Sequence, residues 1–508
     1  MDSIIISINR KAKSVTCQSN VSPATFKGVE IYMFGDFYTE DGSPAAEEDI
    51  FTCYTKLGNR TYDSLDGIGT VVVYDHNIEK IFVFTDFFNS TIPVFYSSDT
   101  ENIWVSTDLY GLSKRVKKCT LSQLSAIEFM FYAYMKSNRT LIKEIKKLGN
   151  RHYLEVDVKR AKIHHHKCHY HIPKLKNVDY ETYYKTLRDC VLQSYSPDAA
   201  ITLSGGFDTN FIMHGLQEIR KSQDVKTPVI AYCGGGEKGK DETSLARQIA
   251  EYYGDIDMHT FRIGKEVLQH LPHIVYILQG LSYERGCFMH YRMSKLFQEQ
   301  GIKQVYTGDL ADQIFCAETY GYSLNTLKRI IKMDLRGIKY AIKNSFDYYN
   351  FPFRSKYDIA SLILLKKSGQ IWNHFGVKGV YPYTRKPFLS LARTTAIDGA
   401  YDKPYHRKAV KQILPKDLSA IIKRNGGNTD THVLFDEQCS SAILDEVKKM
   451  SWYFDIHFHD SDHRYDYYIK ALMVDIFRRI YVEHEFDEDI ERSSLVPSLN
   501  EMYVGMQK

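Results

Sequence analysis

Residues 203–209 read Leu-Ser-Gly-Gly-Phe-Asp-Thr, and this stretch indicates the local fold of the segments on either side of it. An apolar run at 199–203 precedes it and a helical pattern at 211–216 follows it, which predicts a strand that turns into a helix. Two glycines at such a turn let the backbone approach a ligand closely, and the free N–H groups of the helix start favour an anion. With the hydroxyls of Ser204 and Thr209 beside them, the pattern predicts a phosphate-binding loop.

The loop is not a Walker loop, because it lacks the lysine of G-x-x-x-x-G-K-[ST]. An aspartate inside a phosphate site, Asp208, makes sense mainly as a ligand to a metal ion that neutralises the phosphates. A plain turn capped by a serine is the alternative explanation of so short a motif. Other segments of the chain have to decide between the two.

Two such segments follow in the sequence. A strand pattern at 229–232 leads into an acidic turn at 240–243 and a helix, and residues 305–315 place Gly308 after a second strand. Asp312 then falls on the first turn of the next helix, where it can face Asp208 across one nucleotide. Two carboxylates of this kind can share Mg²⁺, which keeps several waters and bridges phosphate oxygens.

Together with the segments 376–391 and 413–423, these motifs resemble the asparagine synthetase superfamily over most of the chain. The resemblance implies an α/β protein with a degenerate Ntn-hydrolase-like αββα sandwich at 1–170 and a PP-loop synthetase domain with a parallel sheet at 171–508. It also implies an AMP-forming amide ligase that uses ATP and Mg²⁺. The metal ligands that it implies are Asp208 and Asp312. The nucleotide-binding residues that it implies are Leu203, Ser204, Gly205, Gly206, Asp208, Thr209, Tyr232 and Gly308.

The first 160 residues resemble the glutaminase domain of that family, but they lack its catalytic part. Such glutaminases use an N-terminal cysteine as nucleophile, whereas the chain starts Met1-Asp2-Ser3 and its nearest cysteine is Cys17. Residues 86–89 read Asp-Phe-Phe-Asn, so the arginine of the family's D-R-F-G is missing as well. We therefore expect no release of ammonia from glutamine.

Without that ammonia, the amine should come from the substrate itself. Among the superfamily members built this way, the length and the 38 Tyr and 27 Phe suit a lasso peptide cyclase, which joins a precursor peptide's N-terminal amine to an Asp or Glu side chain. A leader-peptide protease is the partner that this implies. The catalytic residues that the resemblance implies are Lys423, as a cation for the developing charge, and Asp309, which orients or deprotonates the amine. Helix capping is the alternative role of Asp309.

Three alternatives stay open at the level of sequence. One is a β-lactam synthetase, against which the missing acidic partner at 364–368 (Leu-Leu-Lys-Lys-Ser) counts. Another is an ammonia-dependent asparagine synthetase, and the third is a catalytically inactive scaffold. Retention of Asp208, Asp312 and Lys423 argues against the scaffold.

Composition agrees with a cytoplasmic enzyme of two domains. The 508 residues are 44% hydrophobic and 25% charged, and a formal net charge of +4 is too small to imply nucleic acid. No run approaches the ~20 apolar residues of a membrane span. The nine cysteines lack C-x-x-C, which favours free thiols in a reducing compartment.

A histidine cluster at 164–171 has metal-ligand residue types, but it is expected to be structural. If the segment is extended, alternate residues face opposite sides, with His164 and His166 on one face and His165 on the other. Ligands crowded along one strand rarely close a tetrahedral site.

Overall fold

The computed structural model describes residues 2–88, 91–135, 138–176, 178–236, 242–280, 282–283, 286–315, 366–395, 403–422 and 464–485. Within these ranges the chain is a mixed α/β protein. Antiparallel strands fill the part before residue 168, and a parallel sheet follows from residue 200. The expected fold class is confirmed.

The first part consists of two stacked antiparallel sheets. One has the strand order β2-β1-β8-β7-β9, and the other has the order β11-β10-β6-β5-β4-β3. The strands are β1 (Ile4–Asn9), β2 (Val15–Ser19), β3 (Ala24–Phe26), β4 (Val29–Tyr38), β5 (Asp66–Asp75), β6 (Lys80–Thr85), β7 (Phe95–Ser98), β8 (Asn102–Ser106), β9 (Lys146–Lys147), β10 (His152–Asp157) and β11 (Lys162–Lys167). The helices are α1 (Glu47–Leu57), a 3-10 helix at Gly58–Asp63, α2 (Leu109–Ser113) and α3 (Gln123–Tyr132).

Alternation along the strands builds this sandwich. Val72 and Val83 join the core between the two sheets, whereas Val71 and Val73 point to the opposite face, where they pack with Ile50 of α1. Successive side chains of a strand face opposite sides, so β5 and β6 of the six-stranded sheet each supply residues to both cores. Alternating apolar residues at Val71, Val73, Ile81, Val83 and Val94 predict strands; the first four lie in β5 and β6, whereas Val94 directly precedes β7.

The second part is built on a five-stranded parallel sheet with the order β14-β13-β12-β15-β16. Its strands are β12 (Ala200–Thr202), β13 (Val229–Gly236), β14 (Ile256–Ile263), β15 (Gln304–Tyr306) and β16 (Lys378–Val380). Parallel strands need crossover connections, and helices supply them here. They cover a sheet whose central strands are almost entirely buried, as Ala200 and Ile201 illustrate.

The helices of this part are α4 (Tyr180–Gln193), α5 (Phe207–Ser222), α6 (Thr243–Tyr253), α7 (Leu271–Leu278), α8 (Gly286–Glu299), α9 (Ala311–Phe315), α10 (Ile371–His374), α11 (Lys386–Thr395), α12 (Pro404–Ile413), α13 (Lys416–Ile421) and α14 (Arg464–Phe477). Short 3-10 helices lie at Lys265–His270 and Pro382–Thr384, and π-helical turns at Lys366–Gln370 and Arg478–Val482. None of the helices that the structure describes has both the length and the apolar character that a membrane crossing requires.

The connection between the two parts runs from the end of β11 at Lys167 to the start of α4 at Tyr180. Asp179 caps α4, and its carboxylate accepts the Thr182 N–H at 2.8 Å. The boundary at 170/171 stays a prediction.

The histidines of β11 make packing contacts. The rings of His164 and His166 lie on one face with centroids 6.3 Å apart, and His166 stacks on Tyr153 at 4.7 Å. His165 faces the other side and packs against Tyr96 at 4.7 Å. The expected alternation is confirmed. Tyrosines of other strands pack against the histidines on both faces of β11.

Candidate active site

The phosphate-loop candidate lies at the carboxyl end of β12, where the strand turns into α5. Gly206 is the N-cap of α5, so the first N–H groups of the helix point out of the turn. A Cβ at Gly205 would lie 2.1 Å from the side-chain end of Leu245. A larger residue here would therefore have to displace that leucine.

Polar side chains of the loop hold its shape. The hydroxyls of Ser204 and Thr209 lie 3.1 Å apart, and the Thr209 hydroxyl accepts the Ser204 N–H at 3.2 Å. The amide of Asn210 donates to the Ser204 carbonyl at 3.0 Å and to the Gly206 carbonyl at 2.8 Å. Ser204 and Thr209 thus bind the loop itself in this structure, and their role towards a phosphate stays a prediction.

The turn after β15 meets this loop. Ile201 of β12 pairs with Tyr306 of β15, so both strands end at the same edge of the sheet. A Cβ on Gly308 would lie 3.0 Å from the Thr209 nitrogen and 3.1 Å from Asp208 Cβ. The structure therefore brings Gly308 to the start of α5, as the sequence motifs require.

Asp208 lies where these two segments meet, and a cation holds its side chain. Lys403 Nζ is 2.5 Å from both carboxylate oxygens, and His406 Nε2 lies 2.8 Å from Oδ1. The other ring nitrogen of His406 is 2.5 Å from the Tyr183 hydroxyl. Tyr383 donates to the Asp208 backbone carbonyl at 3.0 Å, so both the side chain and the backbone of Asp208 are fixed.

This network determines the charge of Asp208. Burial of the carboxyl group would raise its pKa, but the ammonium of Lys403 and the hydrogen bond from His406 outweigh burial and lower the pKa below its ordinary value. The side chain of Asp208 is 21% exposed, compared with 5% for Lys403 and 0% for His406. Asp208 is therefore ionised, and its partners Lys403 and His406 lie on the side of the carboxylate that faces the protein interior.

Sequence reasoning missed Lys403 and His406. The motifs used for the resemblance end at residue 391 and resume at 413, so they pass over the intervening segment. Lys403 is the N-cap of α12 with φ +41°, a left-handed backbone conformation that is uncommon for lysine. The available signal was a lysine and a histidine three positions apart at the start of a helix. Such a pair is too common in sequences to indicate a site.

Asp309 lies beside the same edge of the sheet. Its backbone N–H donates to the Thr307 hydroxyl at 3.2 Å, and Thr307 N donates to the Val380 carbonyl at 3.1 Å. Leu310, which directly precedes α9, has φ +79° and a buried side chain. Because α9 begins at Ala311, Leu310 and not Asp309 is the residue that directly precedes the helix. The role of Asp309 in orienting or deprotonating the amine stays a prediction.

Leu203 and Tyr232 contribute through the backbone. The Leu203 N–H donates to the Tyr232 carbonyl at 2.9 Å, which joins the loop to β13. The Tyr232 side chain is buried, donates its hydroxyl to Gln300 and stacks on His259 at 5.1 Å. The structure therefore uses this side chain for packing between strands and α8, away from the loop.

Two of the expected site residues cannot be located in this way. Lys423 lies outside the described residues, and so do Lys240 and Asp241 of the acidic turn. Asp312 belongs to α9, but its side chain is not among those described. Their roles remain predictions.

The described residues fit a nucleotide phosphate. A helix start with a glycine N-cap, a glycine turn against it and a carboxylate at their junction form the donor set expected of a site for phosphate and its counter-ion. Asp208 is the carboxylate that would hold Mg²⁺. In this structure its oxygens accept from Lys403 and His406.

Three cysteines of the first part, Cys17, Cys119 and Cys168, lack the environment of an activated nucleophile. Burial raises the pKa of the Cys17 thiol to about 11, and the nearby carboxylate of Glu30 adds to this. Burial likewise raises the pKa of Cys119 to about 11 and that of Cys168 to about 12. A thiolate nucleophile needs the opposite shift.

Comparison with known proteins agrees with both halves of the structure. Residues 184–348 match the asparagine synthase family and residues 39–169 match the glutamine amidotransferase domain. Asparagine synthetase B [glutamine-hydrolyzing] of Escherichia coli (strain K12) is 21% identical over 408 residues, covering 76% of this chain and 65% of the relative. Asparagine synthetase [glutamine-hydrolyzing] of Zea mays is 22% identical over 198 residues, covering 38% of this chain and 30% of the relative.

One solved structure was also compared. The U34-tRNA thiolase NcsA from Methanococcus maripaludis with its [4Fe-4S] cluster has a TM-score of 0.27 and 14% identity, covering 63% of this chain and 86% of that one. The chain spans about two thirds of the E. coli relative and under a third of the maize relative. The chain is thus similar to the asparagine synthase family in its second part, to the glutamine amidotransferase domain in its first part, and to these two synthetases over part of its length.

Proposed function

We propose that this chain is an ATP-dependent carbon–nitrogen ligase that forms AMP. The observation that carries the proposal is the meeting of the Ser204–Gly206 loop, Gly308 and the ionised Asp208 at one edge of the parallel sheet. In such sheets, ligands bind beyond the carboxyl ends of the strands. The family match over 184–348 includes all three features.

Each residue has a proposed role. The N–H groups at the start of α5 would hold phosphate oxygens, and Asp208 and Asp312 would hold Mg²⁺, which would neutralise phosphate charge. The substrate carboxylate attacks the α-phosphate of ATP, pyrophosphate leaves and an acyl-adenylate forms, from which the amine then displaces AMP. Asp309 orients the amine from the adjacent turn, and Lys423 stabilises the charge that develops during acyl transfer.

The amine does not come from glutamine. The raised thiol pKa of Cys17 supports this, because the thiolate is the nucleophile of a glutaminase. The segment 86–89 supports it too, because it lacks the arginine of the family's D-R-F-G; the carboxylate of Asp86 accepts the backbone N–H groups of Gly69 at 2.8 Å and Phe88 at 2.6 Å. Both oxygens of this carboxylate therefore accept backbone hydrogen bonds that stabilise the local turn.

The finer proposal is macrolactam formation. The enzyme activates an Asp or Glu side chain of a precursor peptide, and the peptide's own N-terminal amine closes the ring, as in lasso peptide maturation. A leader-peptide protease is the partner that exposes this amine. Holding amine and acyl-adenylate together contributes much of the rate, because effective molarities reach about 10⁵–10⁸ M for well-oriented groups.

A second candidate is an ammonia-dependent synthetase that acts on a free amino acid. The observation in its favour is the 408-residue match to asparagine synthetase B of E. coli, which extends over both parts of this chain. The two candidates share the adenylation step and differ in the carboxylate and in the amine.

The test is exchange of labelled pyrophosphate into ATP with different carboxylates. We expect exchange with a peptide that carries an internal Asp or Glu and none with free aspartate, whereas the reverse would support the second candidate. Asp208→Asn should abolish exchange, and Asp224→Asn, at a side chain that is 82% exposed, should not. Exchange with neither carboxylate, or normal exchange by Asp208→Asn, would contradict the ligase assignment.

A further inference from the structure

A second candidate site lies where the antiparallel part meets the parallel part. Arg385 directly precedes α11, and its guanidinium crosses this contact: Nε donates to Asp66 Oδ2 at 3.0 Å, and Nη2 donates to Gln193 Oε1 at 2.9 Å. The guanidinium carbon lies 3.5 Å from the centroid of the Tyr38 ring. Three partners therefore hold the guanidinium in one orientation.

The third nitrogen of this guanidinium is different. Arg385 is 4% exposed, and its Nη1 is buried without a hydrogen-bond partner among the residues that the structure describes. A buried donor that lacks an acceptor loses its hydration without compensation, which is costly for a charged group. The fixed orientation of the fork means that Nη1 cannot turn to find another acceptor.

A cleft lies beside it. The cleft has an accessible volume of about 50 Å³ and is partly open to solvent, and its lining includes Asp36, Ile68, Asn373, Lys378, Tyr381 and Arg385. Lys378 and Asp36 form an ion pair of 2.6 Å in this lining, and their side chains are 39% and 41% exposed. The lining of the cleft thus includes a partly exposed ion pair and the buried side chain of Arg385.

Charge indicates the kind of ligand. Asp36 is paired with Lys378, and Asp66 accepts both from Arg385 and from the Lys386 N–H at 2.8 Å. Neither aspartate leaves an anion for Nη1. A planar guanidinium matches the geometry of a carboxylate, and a charge-assisted hydrogen bond is stronger than one from a neutral donor to a neutral acceptor.

We propose that this cleft binds an organic carboxylate, which accepts a hydrogen bond from Arg385 Nη1. The site is separate from the candidate nucleotide site, and the proposal does not depend on the ligase activity. It shares a wall with that region, because Val380 lines the cleft while its carbonyl accepts the Thr307 N–H two residues before Asp309. The carboxylate belongs either to a small free acid or to the end of a peptide.

The experiment measures ligand binding by the full chain at constant ionic strength. Acetate should bind saturably and acetamide should not, because only the former carries the charge. Gly-Gly-Gly with a free carboxyl terminus, compared with its amidated form, identifies a peptide carboxylate as the source. Weaker binding of the free tripeptide than of acetate assigns the site to small acids, and stronger binding assigns it to peptide ends.

Two variants separate binding from a structural role. Arg385→Lys keeps the charge opposite Asp66 but removes the Nη1 donor, so acetate affinity should fall about tenfold or more. Asp66→Asn weakens the ion pair between the two parts yet leaves Nη1 in place, so acetate affinity should be equal or higher. Equal losses in both variants would mean that Arg385 only joins the two parts, and this would overturn the proposal.

A third variant keeps the test decisive if Arg385→Lys does not fold. Asn373 lines the same cleft but is not among the hydrogen-bond partners of Arg385, so Asn373→Phe should reduce the space in the cleft and abolish acetate binding. Absence of saturable acetate binding by the unmodified chain would also overturn the proposal. So would acetate binding that is unchanged in Asn373→Phe.

Discussion

The ammonium of Lys403 lies 2.5 Å from both carboxylate oxygens of Asp208, although the two residues are 195 positions apart in the chain. The side chain of Lys403 is 5% exposed and that of Asp208 is 21% exposed, so water screens this pair only weakly. The pair joins the start of α12 to the start of α5. Any change at Asp208 is therefore also a change in the packing of α12.

We predict that Asp208 and Lys403 are strongly coupled in stability. Lys403→Met leaves a buried carboxylate without its main cation, so the free energy of unfolding should fall by about 3–5 kcal/mol. Asp208→Asn should also destabilise the chain, and the double variant should lose less than the sum of the two single losses. Urea denaturation of the four proteins measures the coupling.

The matched control is Lys416→Met. Lys416 is an exposed lysine at the first position of α13, and its loss should change the free energy of unfolding by no more than about 0.5 kcal/mol. Losses in the two single variants that simply add would show that this ion pair contributes nothing of its own.

His273 should make the stability depend on pH. Its Nδ1 lies 2.8 Å from the Tyr291 hydroxyl and its Nε2 lies 3.0 Å from His374 Nε2. Burial, with smaller contributions from His374, Lys295 and His270, lowers its pKa to about 3. The folded chain therefore keeps this ring neutral at pH values where the unfolded chain, with an ordinary pKa of about 6.5, has bound a proton.

The sign follows from this difference. The contribution to stability is complete above about pH 6.5 and declines as the pH falls towards 3, because the unfolded state binds more protons in that window. Between pH 7 and pH 5 the loss should be about 2 kcal/mol, and His273→Gln should remove it. Urea denaturation at both pH values measures it, with the exposed His169→Gln as control. An unchanged pH dependence in His273→Gln would show that this ring is not responsible.

Glutamine should not serve as a nitrogen source. The thiol of Cys17, with a pKa near 11, is almost entirely protonated at neutral pH and cannot attack an amide. Incubation with glutamine, ATP and Mg²⁺ should release no glutamate above background, and Cys17→Ser should leave pyrophosphate exchange unchanged. Glutamate release that disappears in Cys17→Ser would establish the opposite.

Lys423 is predicted to act in acyl transfer. Its position lies just past the last described residue after α13, Ile422, and the structure does not test it. Lys423→Met should keep ATP affinity but reduce product formation by about 10²–10³, as expected for loss of one electrostatic contact to a developing charge. Unchanged product yield would make Lys423 a surface cation, and lost ATP binding would assign it to the nucleotide site.

The local features of the site could be read from the sequence. The residues between 199 and 216 set a strand, a glycine turn and a helix through backbone preferences of neighbouring residues, and the structure has all three. The capping of α4 by Asp179 and the alternation of the β5 and β6 valines follow from equally local rules. The motif order also placed Gly308 after a second strand, and the structure adds that Gly308 meets the start of α5.

Other features depend on packing between distant segments. The sequence places Tyr232 beside the loop, but its side chain turns towards Gln300 because β13 is packed against α8. An alternating pattern predicts which face of the strand a side chain lies on, but it does not predict which residue packs against that face.

By itself, then, the sequence determined the two-part α/β architecture, the loop at Ser204–Gly206 and the kind of chemistry that such a loop suits. Only the tertiary structure decided that Lys403 and His406 hold Asp208, and that Arg385 reaches Asp66 across 319 positions with one donor left over. The physical reason is the separation in sequence over which each kind of interaction acts. Turns, caps and alternation are set by residues within a few positions, whereas buried ion pairs form between whichever charged groups the packing of helices and sheets brings together.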